Sequence, residues 1–117
     1  MKRNILWGIF LGLAVLGGLM LSGCEEIEAG IGTIKLLNKS SNVTINYWAI
    51  ESGTTIKWET HSYIFAGSSA SHEIDTGFYS IYLEDTDGDG WVTKTTHTVK
   101  KDKTVEVKFP GDFKVSN

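Results

Sequence analysis

The sequence predicts an all-β protein, a small antiparallel Greek-key sandwich of about seven to eight strands. Three observations predict it. From Thr33 onward apolar and polar residues alternate with a period of two and no helical period appears; Gly, Ser, Asn and Asp clusters interrupt that alternation at short intervals; and the single proline, Pro110, falls after the last alternating run. A period of two places every second side chain on one buried face, which is how a strand of a two-layer fold is written.

The elements follow in order. Ile34 and Leu36 oppose Thr33 and Lys35 in a first strand, and Val43, Ile45, Tyr47 and Ala49 oppose Thr44, Asn46 and Trp48 in a second. Shorter runs at Ile56 to Trp58, Tyr63 to Ala66 and Ser71 to Ile74 are read as the next three strands, followed by Phe78 to Glu84 and Trp91 to Val99. Val105, Val107 and Phe109, opposed by Thr104, Glu106 and Lys108, close the series. Turns are expected at Asn38 to Asn42, Ser52 to Thr54, Gly67 to Ser69, Thr76 and Gly77, Asp85 to Gly90, and Lys100 to Lys103, because these residues favour turn backbone angles. Asn38 and Asn42 each open a glycosylation triplet, but both are read as turn residues and a strand start.

The segment Ile74, Asp75, Thr76, Gly77, Phe78, Tyr79 resembles the tyrosine corner of Greek-key sandwiches, where the tyrosine hydroxyl bonds back to the main chain. The longer stretch from Ile74 to Phe109 is similar to the C-terminal part of carboxypeptidase regulatory-like and transthyretin-like sandwiches. That resemblance covers about a third of the chain and implies a non-catalytic module of a secreted protein.

The N-terminus is of a different kind. Lys2 and Arg3 precede an apolar run from Ile5 to Leu21, the layout of a secretory signal. The run ends in Leu21, Ser22, Gly23, Cys24, which resembles the lipobox of bacterial lipoproteins. The resemblance implies cleavage before Cys24 and a diacylglyceryl group on its thiol, with the bilayer as partner and an extracytoplasmic location on the cell membrane or outer membrane. Residues 1–23 are then a signal peptide, 24–32 a lipidated tether, 33–110 the sandwich and 111–117 a C-terminal tail. A retained transmembrane anchor and an ordinary cleaved signal with a free thiol are the competing readings.

Cleavage there removes two of eleven basic residues and none of fourteen acidic ones, taking the formal charge from −3 to −5. That sign excludes nucleic acid and a basic membrane-adhesion patch. Cys24 is the only cysteine, so an acylated form has no disulfide, thiolate metal site or cysteine nucleophile.

Asp85, Thr86, Asp87, Gly88, Asp89, Gly90 is the one cluster with site chemistry. Carboxylates at alternate positions converge on hard cations, and Asp85, Asp87, Asp89 and the Trp91 carbonyl match the first half of a calcium loop. Positions nine and twelve are Thr93 and Thr96, which lack the closing carboxylate, so a plain hairpin turn competes.

His61, His72 and His97 lie on different strands without ligand spacing, and no nucleophile elbow occurs, so no enzyme is expected. Trp48 falls on the face opposite Ile45 and Tyr47, where an exposed indole would stack on a sugar or anchor a protein; a second sheet would bury it instead. Tyr47, Tyr63, Phe65, Phe78 and Tyr82 share that choice. The expectation is a membrane-anchored envelope lipoprotein whose sandwich binds an envelope protein or a glycan or serves structurally, with a calcium-binding or carbohydrate-binding domain as the alternative.

Overall fold

The computed structural model describes residues 27–116; the expected signal peptide and the stretch that resembles a lipobox, with Cys24, lie outside the described residues. Nine strands form among them: β1 (Ile31–Asn38), β2 (Ile45–Ser52), β3 (Thr55–Thr60), β4 (Ser69–Asp75), β5 (Gly77–Asp85), β6 (Gly90–Thr93), β7 (His97–Val99), β8 (Thr104–Phe109) and β9 (Phe113–Ser116). They make a sandwich of two sheets, one in the order β4-β1-β8 and the other β3-β2-β5-β6-β9, with β7 also on β5. Pairing is antiparallel except between β1 and β8, which run parallel because a crossover separates them.

Period-two patterning decides the core. Ile34 and Leu36 of β1 and Val107 and Phe109 of β8 are buried and face Trp48, Ile50, Ile81 and Leu83 of the larger sheet. Each such side chain removed from water contributes roughly 1.5–3 kcal/mol. Phe109 also meets Trp91 edge-on, with ring centroids 5.1 Å apart.

Three stretches depart from the expected strands. Tyr63 to Ala66 forms no strand; Ile64 alone bridges Ile45, by hydrogen bonds of 2.8 and 3.1 Å. Trp91 to Val99 breaks at Lys94 to Thr96 into β6 and β7, which both pair with β5 but at opposite ends. Phe113 to Ser116, within the expected tail, pairs with β6, and Phe113 is buried in the core.

The tyrosine corner is present, with the Tyr79 hydroxyl donating to the Asp75 carbonyl at 2.7 Å. Gly77 lets the Tyr79 ring lie close, since a Cβ there would stand 3.2–3.3 Å from that ring and its hydroxyl.

Two poles result. At one, Ile31 accepts from the Asp102 N–H and Gly30 from the Thr76 N–H, so the chain enters beside the Lys100–Lys103 turn. At the other, Asn38 is fully buried and its Nδ2 donates to the carbonyls of Val43 (2.8 Å) and Ile64 (2.9 Å). Its Oδ1 accepts from the Ser40 N–H and hydroxyl. One side chain thus joins two loops at the end of the sandwich remote from the entry of the chain, and Asn38 offers no amide to a glycan.

Candidate functional site

The acidic loop turns inward. Asp85 is 3% exposed. Its Oδ1 accepts from the N–H groups of Asp87 (2.9 Å) and Asp89 (3.0 Å), and its Oδ2 accepts from the Trp91 indole Nε1–H (3.0 Å). Both carboxylate oxygens therefore hold the hairpin together, and the Trp91 ring is fixed by the same group. Asp87 and Asp89 point to solvent, and among the described residues no three His, Cys, Asp or Glu side chains gather around a common point. In the described structure Asp85, Asp87 and Asp89 do not converge on a common point, and the Asp85 oxygens expected to meet calcium are bonded within the hairpin. Gly90, the sixth loop position, admits the Tyr82 ring: a Cβ there would lie 2.6 Å from the Tyr82 hydroxyl.

Trp48 is also corrected. It is 1% exposed and meets Trp58 edge-on at 4.9 Å, so it offers no ring to a ligand. The cause is a β-bulge. Ile45 opposes Asp85 while Tyr47 opposes Glu84, so one extra residue enters β2 and the alternation reverses after it. Trp48 and Ile50 then face inward opposite Leu83 and Ile81, and Tyr47 and Ala49 turn to the outer face.

The histidines do not converge. His72 stacks on Trp58 across the edge of the sandwich, with centroids 3.8 Å apart and planes 16° from parallel. Burial holds its pKa below the ordinary histidine value, against the opposing charge of Glu73. His97 is on β7, and its Nε2 is buried without a hydrogen-bond partner.

What the fold brings together is the outer face of the larger sheet. Cross-strand partners share a face, so Glu59, Ala49, Tyr82, Val92 and Lys114 make one row, and Tyr47 and Glu84 begin a second. The Tyr47 hydroxyl donates to Glu59 Oε1 (2.5 Å), and the Tyr82 hydroxyl donates to Glu84 Oε2 (2.9 Å). Burial first, and then Glu59, pushes the Tyr47 hydroxyl pKa above the usual tyrosine range. Tyr47 meets Tyr82 at 6.1 Å and His61 at 4.7 Å.

Beyond His61 the chain carries Tyr63 and Phe65, 65% and 60% exposed, on either side of the buried Ile64. Their rings stand 6.0 Å apart. The Ile64 main chain is pinned by Ile45 and by Asn38, so these rings sit on a fixed support. The face joins aromatic rings to carboxylates already oriented by tyrosine hydroxyls, with further lone pairs open to a donor. The signal for it was partly in the sequence: Tyr82 and Glu84 stand two apart on one strand. The bulge that brings Tyr47 beside them has no local signature.

Comparison of the chain with protein-family models, with curated proteins and with solved structures gives no match.

Proposed function

We propose that this chain is an extracytoplasmic lipoprotein of a bacterial envelope, held in the bilayer by acyl groups on Cys24, whose sandwich acts as a non-catalytic binding or structural module. One observation carries it. The sole cysteine follows Leu21, Ser22 and Gly23 at the end of an apolar run with a basic start, and only Glu25 to Gly30 separate it from β1, which begins at Ile31. A short tether of that kind lets acyl chains do the anchoring, at about 0.8 kcal/mol per buried methylene, while the domain remains a separately folded unit.

The location of the exposed rings supports a binding role. The chain enters the sandwich at the pole of Ile31 and the lysine turn, while Asn38, Tyr63 and Phe65 belong to the other. A domain tethered at one pole presents the opposite one to the surroundings.

Labelled palmitate tests the anchor: it should enter the wild-type protein and not Cys24→Ala. Label in the variant, or a wild type that stays unlabelled and fractionates with soluble proteins, overturns the reading.

A further inference from the structure

We infer that the outer face of the larger sheet docks a basic polypeptide segment of a partner protein, seating lysine and arginine side chains among His61, Tyr63, Phe65 and Tyr82 and pairing them with Glu59 and Glu84, the first of which the buried Tyr47 hydroxyl holds in place. The inference rests on the binding-module reading above and names its partner class.

Charge complementarity is the first argument. Glu59 and Glu84 are exposed and Glu51 lies on the same face opposite Ser80; among the described residues none of the three is in an ion pair. Lys101 pairs with Glu28 at 3.4 Å at the other pole. Among the described residues the cations of this face are Lys57, exposed two residues before Glu59 on β3, and Lys114, beyond Val92, and neither is paired with these carboxylates. Each tyrosine hydroxyl donates to its glutamate, which fixes the carboxylate and leaves acceptors only, so the complementary ligand is rich in N–H donors and positive.

Ring geometry is the second. Tyr47 and His61 are inclined by 46°, Tyr47 and Tyr82 by 65°, and Tyr63 and Phe65 by 45°. A stiff polysaccharide stacking successive sugars needs rings that lie nearly in one plane, and these are stepped. Flexible side chains ending in a cation fit stepped rings, and each cation gains from the negative face of an aromatic ring as well as from a carboxylate. Exposed Tyr63 and Phe65 held on a pinned main chain also lose little freedom on binding.

The full-length protein in neutral detergent would be titrated against fluorescein-labelled octalysine and octa-arginine peptides, read by anisotropy. Binding that weakens about tenfold in Tyr63→Ser/Phe65→Ser and again in Glu59→Gln/Glu84→Gln is the expected result. Glu73→Gln/Glu106→Gln, an equal charge change on exposed positions of the other sheet, should alter affinity by less than about twofold. All six positions are exposed except for their local partners, so unfolding midpoints should be retained. Equal weakening by the control pair reduces the effect to net charge and overturns the inference. So does absence of peptide binding, and so does tighter binding of a glucosamine or N-acetylglucosamine oligomer, which makes the ligand a glycan. Loss of peptide binding with palmitate labelling intact leaves the anchor standing, so the two failures are separable.

Discussion

The Tyr79 hydroxyl donates to the Asp75 carbonyl at 2.7 Å across the turn by which the chain leaves the smaller sheet for the larger. Tyr79 is 6% exposed, and burial raises its hydroxyl pKa in keeping with a neutral donor. Tyr79→Phe keeps the ring and deletes the donor, and should cost about 1–2 kcal/mol in urea denaturation. Gly77→Ala should cost a similar amount, since its methyl presses on the same ring. A Tyr79→Phe midpoint equal to the wild type would show that the corner contributes packing alone.

The corner was legible because it is local: glycine and tyrosine two residues apart, just after the end of a strand. The alternating strands β1, β5 and β8 were legible for the same reason, each burying one face. What was not legible depends on residues far apart in the chain. Asn46 is ordinary in isolation, yet the extra residue it adds opposite β5 reverses Tyr47, Trp48, Ala49 and Ile50. Phe113 looked like part of a tail because its partner, Thr93, is set by a pairing of β9 with β6. The acidic loop misled through composition: aspartates at alternate positions suit a cation, and they suit equally a hairpin in which the first carboxylate caps the amides of the next two.

Asn38 should be among the costliest polar positions. It is fully buried, and its amide satisfies the carbonyls of Val43 and Ile64 while its oxygen receives Ser40. Asn38→Ala removes one of the two hydrogen bonds to each of these carbonyls and the acceptor of Ser40 from a buried site, and about 1–3 kcal/mol of stability should be lost. Amide hydrogen exchange at Ile64 and Gly67 should accelerate together, because Gly67 N–H donates to the Asn38 carbonyl. Exchange unchanged at both positions would show that the loops hold without this side chain.

Asp85 separates the hairpin from the calcium reading. Asp85→Ala removes the acceptor of two amides and an indole, and about 2–3 kcal/mol should disappear from the unfolding free energy. Asp85→Asn keeps one acceptor oxygen and should fall between. With both carboxylate oxygens bonded within the hairpin and Asp87 and Asp89 turned to solvent, millimolar calcium followed by chelator should leave the wild-type melting midpoint where it was. A rise with calcium would mean that the loop reopens to bind, since a ligand selective for the folded state must stabilise it.

The stacked pair of Trp58 and His72 should give the domain a pH-dependent edge. His72 is partly buried, and its pKa lies below the ordinary 6.5, chiefly through burial and in spite of Glu73. A folded-state pKa below the unfolded one means that the unfolded chain takes the proton first. Stability is then fully present above about pH 6.5 and falls as the pH descends toward the folded pKa, the sign that linkage gives when the unfolded state binds more protons. Attraction between a protonated imidazole and the Trp58 ring acts the other way, against the burial that lowers the pKa. His72→Phe keeps a ring against Trp58 and removes the titration. Its unfolding midpoint should therefore fall less than that of the wild type between about pH 8 and about pH 5.5. If the two proteins lose stability in parallel, the pH dependence belongs to other groups; if the wild type gains on acidification relative to the variant, the ring attraction has won.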